Sequence, residues 1–329
     1  MKRVVVLGAT GQLGAYSTKA LLDCGYEVVA VGRRQNDNNF WHNLGVKYIG
    51  NFELENETSF NMLPQEGIDA VVHLAGAMPA HSGTSPMQYV RSIVDGMVNV
   101  CEWMVKINCK RIVFNTTPSD VSQHFSKEPV PEEASRSFPH NGGDHAIYAI
   151  AKNAAVDILF HYQIAAQLLP CIFRHMTVYG WHPNQYYFRN GIKSILPFRK
   201  IINDVIAGGP VEIWGNPYVK KELLYIKDFT SAIVKGISSN ACGIFNLPGY
   251  RPYTTEEQID GFIQAFAVKP IHKIYLPDKP SSPENLLLLG NAKDILGWTP
   301  QWDWFSACKD WAKMAQNKPF EKLWETTDL

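Results

Sequence analysis

Tyr148 and Lys152, in the run Tyr148-Ala149-Ile150-Ala151-Lys152, stand one helical turn apart. That spacing puts both side chains on one helix face. A phenol, with a reference pKa of about 10, works as a proton donor and acceptor near neutrality only if a neighbouring positive charge favours its ionised form. The pair therefore predicts proton transfer by Tyr148, tuned by Lys152. A second chemical element is the turn Gly8-Ala9-Thr10-Gly11-Gln12-Leu13-Gly14. Its glycines allow a tight turn and let backbone N–H groups approach a diphosphate at the positive end of a helix. The spacing is G-x-x-G-x-x-G, distinct from the commoner G-x-G-x-x-G fingerprint. Together the two elements predict an enzyme that moves hydride.

The surrounding sequence supplies elements to position them. Val4-Val5-Val6-Leu7 reads as a buried strand, followed after the glycines by a helix to Leu22, a stop at Gly25 and a second strand from Glu27 to Val31. Gly67 to Gly76 and Lys110 to Thr117 read as further strands, the first ending in small residues that let a cofactor lie across the sheet edge. Tyr89 to Lys106 and Ala146 to Leu168 carry helical periodicity. The expected fold is α/β, a doubly wound parallel sheet with a smaller carboxy-terminal lobe. Residues 118–145 are irregular and rich in proline, and a loop that long in a domain suggests a functional segment such as a lid.

Composition narrows the partners. The 329 residues are 46% apolar, enough for a large core, and carry 31 acidic and 31 basic side chains. That balance leaves no electrostatic footprint for nucleic acid or an anionic membrane. The six cysteines lack zinc-type spacing and read as reduced thiols. The chain enters a strand directly from Met1 and has no uncharged apolar run of about 18 residues, so a cytoplasmic protein is expected.

In order, Gly8-x-x-Gly11-x-x-Gly14, Asp69-x-Val71-x-His73-Leu74-Ala75, Thr116-Thr117 and Tyr148-x-x-x-Lys152 resemble the extended short-chain dehydrogenase/reductases, the epimerase/dehydratase group. Phe173-Arg174-His175-Met176-Thr177-Val178-Tyr179-Gly180, Lys221 to Asp228 and Leu296-Gly297-Trp298-x-Pro300 are similar to later segments of that group, so the resemblance spans nearly the whole chain. It implies that Thr117 hydrogen-bonds the reacting carbonyl or hydroxyl, with Thr116 as the competing choice. Tyr148 is then the acid/base, and Lys152 tunes it and binds the nicotinamide ribose. Cofactor contacts are implied for Gly8, Thr10, Gly11, Gln12, Leu13 and Gly14, for Leu74, Ala75 and Gly76, and for Thr116, His175 and Val178 beside Tyr148 and Lys152. His73, His140 and His145 are alternative acid/base groups, with His73 more naturally packed at a strand end.

NAD-using members place an acidic residue at the end of the second strand, but here the position is Gly32, followed by Arg33-Arg34. A carboxylate repels a 2′-phosphate and a guanidinium grips it, so NADP(H) is the expected cofactor, with NAD(H) the alternative. Asn51 replaces the Asp that often faces adenine. Several residues depart from the group. Pro118 and Ser119 stand where the dehydratases carry an Asp-Glu pair, which argues against dehydration. Ile93 and Thr177 each replace a common Asn, and the Arg usually found upstream of the Leu-Gly-Trp segment has no counterpart near Pro277 to Asn285.

The leading expectation is an NADP(H)-dependent reductase of a keto-sugar carried on a nucleotide. Its alternatives are a nucleotide-sugar epimerase, which oxidises and re-reduces one carbon, and an NADP-sensing regulator without catalysis. Residues 1–177 plus 223–250 are expected to form the dinucleotide lobe, and 178–222 plus 251–329 the substrate lobe. In that second lobe Trp181, Tyr186, Tyr187, Phe188 and Trp214 are candidates to stack a sugar or base, with core packing the alternative. The resemblance also implies a homodimer through the helices at 89–106 and 146–168.

Overall fold

Seven parallel strands organise the computed structural model, which describes residues 2–79, 83–126, 128–138, 142–189 and 192–325. They are β1 (Arg3–Leu7), β2 (Glu27–Val31), β3 (Lys47–Ile49), β4 (Ala70–His73), β5 (Arg111–Asn115), β6 (Leu169–Arg174) and β7 (Gly243–Asn246). Their spatial order is β7-β6-β5-β4-β1-β2-β3. The order reverses between β1 and β4, and in open parallel sheets that switch point, at the carboxyl ends of the strands, is where ligands bind.

The strand period of two sorts side chains onto the two faces. Val4, Val6, Ala30, Val72 and Phe173 pack on one face. Val5, Leu7, Val29, Val71, Ile112 and Phe114 pack on the other. The first face carries α1 (Gln12–Asp23). The second carries α2 (Gly96–Lys106) and α3 (Gly143–Ala166), which bury Met97, Val100, Ala151 and Ala155 against it.

Two expectations from the sequence need correction. The helix read from Tyr89 to Lys106 is continuous but irregular and begins earlier: a turn at Pro86–Tyr89, capped by Ser85 and Gln88, runs through a π-helical stretch at Val90–Asp95 into α2. Side-chain periodicity cannot register that one-residue widening. The segment after β5, read as a lid, is anchored where it is described. Thr117 caps a 3-10 helix at Pro118–His124. Val130 exchanges backbone hydrogen bonds with Leu286 and Leu288 at 2.9 and 2.8 Å. Arg136 pairs with Asp157 and donates to Asn153 Oδ1 at 3.1 Å, both on α3. This portion buttresses the sheet edge, while His140 lies outside the described residues.

Beyond β6 the chain forms a hairpin of Tyr186–Arg189 and Ile192–Ile195, then α4 (Pro197–Ala207), α5 (Ile226–Ser238), α6 (Thr255–Phe266) and α7 (Trp304–Asn317). α6 and α7 meet closely at Gly261, where a Cβ would lie 2.3 Å from the Trp304 indole nitrogen. Trp304 donates from that nitrogen to the Gln258 carbonyl at 3.0 Å. All six cysteines are free thiols. No described helix is long and apolar enough to cross a membrane.

Candidate active site

The glycine turn has the form its sequence predicts. Gly8 adopts φ +89°, and a Cβ there would come within 2.9 Å of the Ala75 nitrogen at the end of β4. At Gly14 a Cβ would lie 2.0 Å from the Gly8 carbonyl oxygen, so neither position admits a side chain. Gly11, the N-cap of α1, has no side chain with which to cap the positive end of that helix. Leu13 packs into the core, and Gln12 donates to the Gly180 carbonyl at 3.3 Å. Leu74, just past β4, donates its N–H to the carbonyl of Leu7 at the end of β1 at 3.0 Å. Gly76 turns at φ +135°, with Ile93 Cγ1 3.2 Å from where its Cβ would be.

Across the switch point, α3 brings Tyr148 and Lys152 to the end of β5. Lys152 is 4% exposed, donates to the Asn115 carbonyl at 2.9 Å, and sits 4.3 Å from the Phe114 ring centroid and 5.9 Å from that of Tyr148. The expected helical adjacency is present, and Asn115 leads directly into Thr116-Thr117. Burial pushes the Lys152 ammonium down to about 7. Burial, with Tyr89 adding to it, pushes the Tyr148 phenol up, opposite to the depression the pairing alone predicts. Desolvation disfavours the charged form of each group.

The two threonines differ. Thr117 Oγ1 accepts from the Ser119 backbone N–H at 3.3 Å and donates to Ser119 Oγ at 3.2 Å. Thr116 Oγ1 is buried and has no partner among the described residues. Asn115 Oδ1 and His175 Nε2 are likewise buried and unpartnered. His175 bonds the Met176 carbonyl through Nδ1 at 2.7 Å, and burial beside Lys152 lowers it to about 4. His73 is 1% exposed, lies 5.4 Å from Phe114 ring to ring, and is pushed down to about 3. Neutral and enclosed, it packs at the strand end as its sequence context predicts. Val178 pairs with Leu224 in a short parallel bridge beside the sheet.

At the end of β2 the two arginines part. Gly32 has little room: a Cβ would lie 2.9 Å from the Tyr48 hydroxyl and 3.0 Å from Thr10 Oγ1. Arg33 is exposed. Arg34, expected beside it as a phosphate ligand, instead turns inward and donates to the Leu323 carbonyl at 2.8 Å. Sequence could not foresee this, because the acceptor is a backbone group at the far end of the chain. Asn51 is exposed at φ +53°, its N–H bonded to the Arg34 carbonyl at 3.2 Å.

One buried pair beneath the site escaped sequence reading. Arg174 Nη2 meets Asp120 Oδ2 at 2.8 Å and Arg174 Nε meets Oδ1 at 3.0 Å, both side chains being 0% exposed. Asp120 sits one residue after the position of the dehydratase carboxylates, and its oxygens are consumed by Arg174. Of the candidate stacking aromatics, Trp181 is core, while Tyr186 and Trp214 are about half exposed beneath Lys193 and Lys279. Among the described residues no group of His, Cys, Asp and Glu is arranged for a metal ion.

A glycine turn that admits no side chain at Gly8 and Gly14, at the start of α1, with unpartnered polar atoms at the ends of β5 and β6, fits a nicotinamide dinucleotide. Fold and site together define a dinucleotide-binding enzyme with a Tyr-x-x-x-Lys pair. Residues 4–247 match the pattern of the NAD dependent epimerase/dehydratase family, and the chain belongs to that family, within the extended short-chain dehydrogenase/reductases. A UDP-glucose 4-epimerase of Lacticaseibacillus casei is 25% identical over 91% of this chain and 92% of its own. A UDP-glucuronic acid decarboxylase of Danio rerio is 22% identical over 91% of this chain and 69% of its own. The solved UDP-glucose 4-epimerase of Thermotoga maritima, with UDP-glucose, superposes with a TM-score of 0.78 at 20% identity, covering 96% of this chain and 99% of that one.

Proposed function

We propose that this protein is a nucleotide-sugar epimerase using a bound nicotinamide dinucleotide, with residues 1–177 and 223–250 holding the dinucleotide and 178–222 and 251–329 holding the sugar. The observation that carries the reading is Lys152, which donates to the Asn115 carbonyl at the end of β5 and lies 5.9 Å from the Tyr148 ring centroid. When bound, the dinucleotide supplies reversible hydride acceptance at its nicotinamide ring. Tyr148 takes the proton from the sugar hydroxyl at its phenolic oxygen and later returns it. Burial opposes the loss of that proton, so the positive charge of Lys152, oriented by the Asn115 carbonyl and the Phe114 ring, must compensate. Thr117 orients the reacting oxygen, and the unpartnered Thr116 hydroxyl is the neighbouring polar contact.

The sequence alone ranks a reductase first. The curated 4-epimerase relatives favour the epimerase, and Pro118 and Ser119 in place of the dehydratase carboxylates argue against dehydration. A single observation keeps the reductase as second reading: the exposed Arg33 beside a crowded Gly32 suits NADP(H), which serves exchangeable reducing steps. The same observation supports NADP(H) as the cofactor here, with NAD(H) as the alternative. A non-catalytic regulator has no need of the retained Tyr148/Lys152 pair. A homodimer through α2 and α3 is supported by Val98, Val105 and Ile164 exposed on those helices.

The test is to denature the purified protein, quantify released dinucleotide by mass, and incubate the native protein with UDP-sugars while reading C4 stereochemistry. Stoichiometric dinucleotide and interconversion at C4 are expected. An empty site with NADPH-dependent reduction of a keto-sugar would replace the epimerase by the reductase.

A further inference from the structure

The chain's final described turn reaches back to both loops expected to hold the dinucleotide. Trp324 donates from its indole nitrogen to the Thr10 carbonyl at 3.0 Å, inside the glycine turn after β1. Arg34, in the loop after β2, donates to the Leu323 carbonyl at 2.8 Å. Asn38 in the same loop donates from Nδ2 to the Lys322 and Glu325 carbonyls at 2.7 and 2.6 Å. Phe320 packs edge-on against Tyr16 of α1 at 4.7 Å, and Trp324 lies 4.4 Å from the His182 ring. Phe320, Leu323 and Trp324 are all buried. One short segment thus bridges the diphosphate turn and the loop at the adenosine end across nearly the whole length of the chain.

We propose that the carboxy-terminal turn Phe320–Glu325 is a clasp that positions the adenosine end of the dinucleotide site. The inference rests on the dinucleotide reading above. A hydrogen bond to the Thr10 carbonyl fixes the peptide plane that leads into Gly11, and so the direction of the N–H groups at the start of α1. Bonds from Arg34 and Asn38 fix the second loop relative to the first. The clasp also divides the arginines. Arg34 is a positioning residue that acts on both dinucleotides alike, and discrimination by the 2′-phosphate falls to the exposed Arg33.

Full-length protein, freed of any bound dinucleotide, is titrated with NADPH and with NADH well below its melting temperature, and dissociation rates are followed by fluorescence. Trp324→Phe keeps an aromatic ring while removing the N–H together with part of the indole's volume, so its melting temperature is measured alongside. Asn38→Gly removes the amide at an exposed position whose φ of +55° suits glycine. Each variant should weaken NADPH and NADH equally, by about fivefold to tenfold, with faster dissociation and unchanged kcat at saturating dinucleotide. Arg33→Ala should weaken NADPH selectively. Unchanged affinity in both clasp variants, with only a lower melting temperature, would leave the turn a structural element and overturn the proposal. A loss confined to NADPH on Arg34→Ala would make Arg34 a phosphate ligand and do the same. If the wild-type protein binds neither dinucleotide, the site reading itself fails and the clasp with it.

Discussion

Replacing Asp120 by Asn should destabilise the protein by about 3 kcal/mol or more. The carboxylate and the Arg174 guanidinium are both 0% exposed, joined by donors from Nε at 3.0 and 3.3 Å and from Nη2 at 2.8 Å. Arg174 Nη1 donates to Asn246 Oδ1 at 3.3 Å. Burial holds the Asp120 carboxyl above the usual carboxylate range even against the pull of Arg174, which marks how little solvent reaches it. Removing the countercharge leaves a buried guanidinium uncompensated, and breaking such pairs one-sidedly costs about 3–5 kcal/mol. Replacing both partners by apolar residues of similar volume, Asp120→Leu with Arg174→Met, should recover most of that loss. Equilibrium denaturation of the wild type, Asp120→Leu, Arg174→Met and the double variant completes the cycle, with Asp120→Asn measured beside it. A functional consequence accompanies the stability loss: Asp120 holds the 3-10 helix that Thr117 caps, so Asp120→Asn should also lower turnover. A single substitution costing under about 1 kcal/mol, or a double variant as damaged as the two singles summed, would refute the reasoning.

Tyr148→Phe should lower turnover by about 10² to 10⁴ while sparing dinucleotide affinity, measured by steady-state kinetics and titration; undiminished turnover removes Tyr148 from the mechanism. Glu222 accepts from the Gly249 and Leu287 N–H groups at 2.8 and 3.3 Å, and burial pushes it up to about 7. Its folded pKa is raised, so the native state holds the proton across roughly pH 4.5 to 7, and this contribution to stability is lost as pH rises through that window. Glu222→Gln should flatten the stability profile there, whatever its absolute cost, as followed by denaturant midpoints at several pH values. Gly14→Ala should unfold readily or fail to fold, because its Cβ meets the Gly8 carbonyl at 2.0 Å, whereas Gly11→Ala, with its nearest neighbour at 3.4 Å, should melt close to the wild type.

What the sequence discloses about this chain is whatever local periodicity and local chemistry determine. β2 falls on Glu27–Val31 as read, because alternation of buried residues and the Gly25 stop are local signals. Tyr148 and Lys152 share a face because helix geometry requires it. The direction of their titration was not legible, since burial depends on how α3 settles on β5 and not on the spacing of two residues. Arg34 was misread for the same kind of reason: its partner lies at Leu323. The Asp120–Arg174 pair joins an irregular segment to the end of a strand, and no periodic pattern marks either residue. The π-helical stretch at Val90–Asp95 differs from an α-helix by one residue per turn over a single turn, below what apolar spacing can resolve.

The core on one face of the sheet does not stop at the domain expected from sequence. Val4, Ala30 and Phe173 belong to the same cluster as Tyr253, Phe262, Trp304 and Trp311, and Tyr179 meets Trp304 at 5.0 Å and Phe198 at 5.2 Å. A joint filled with interlocked indoles and phenols resists bending, so the region beyond Val178 cannot be exchanged as a cassette between relatives without rebuilding the sheet's own interior.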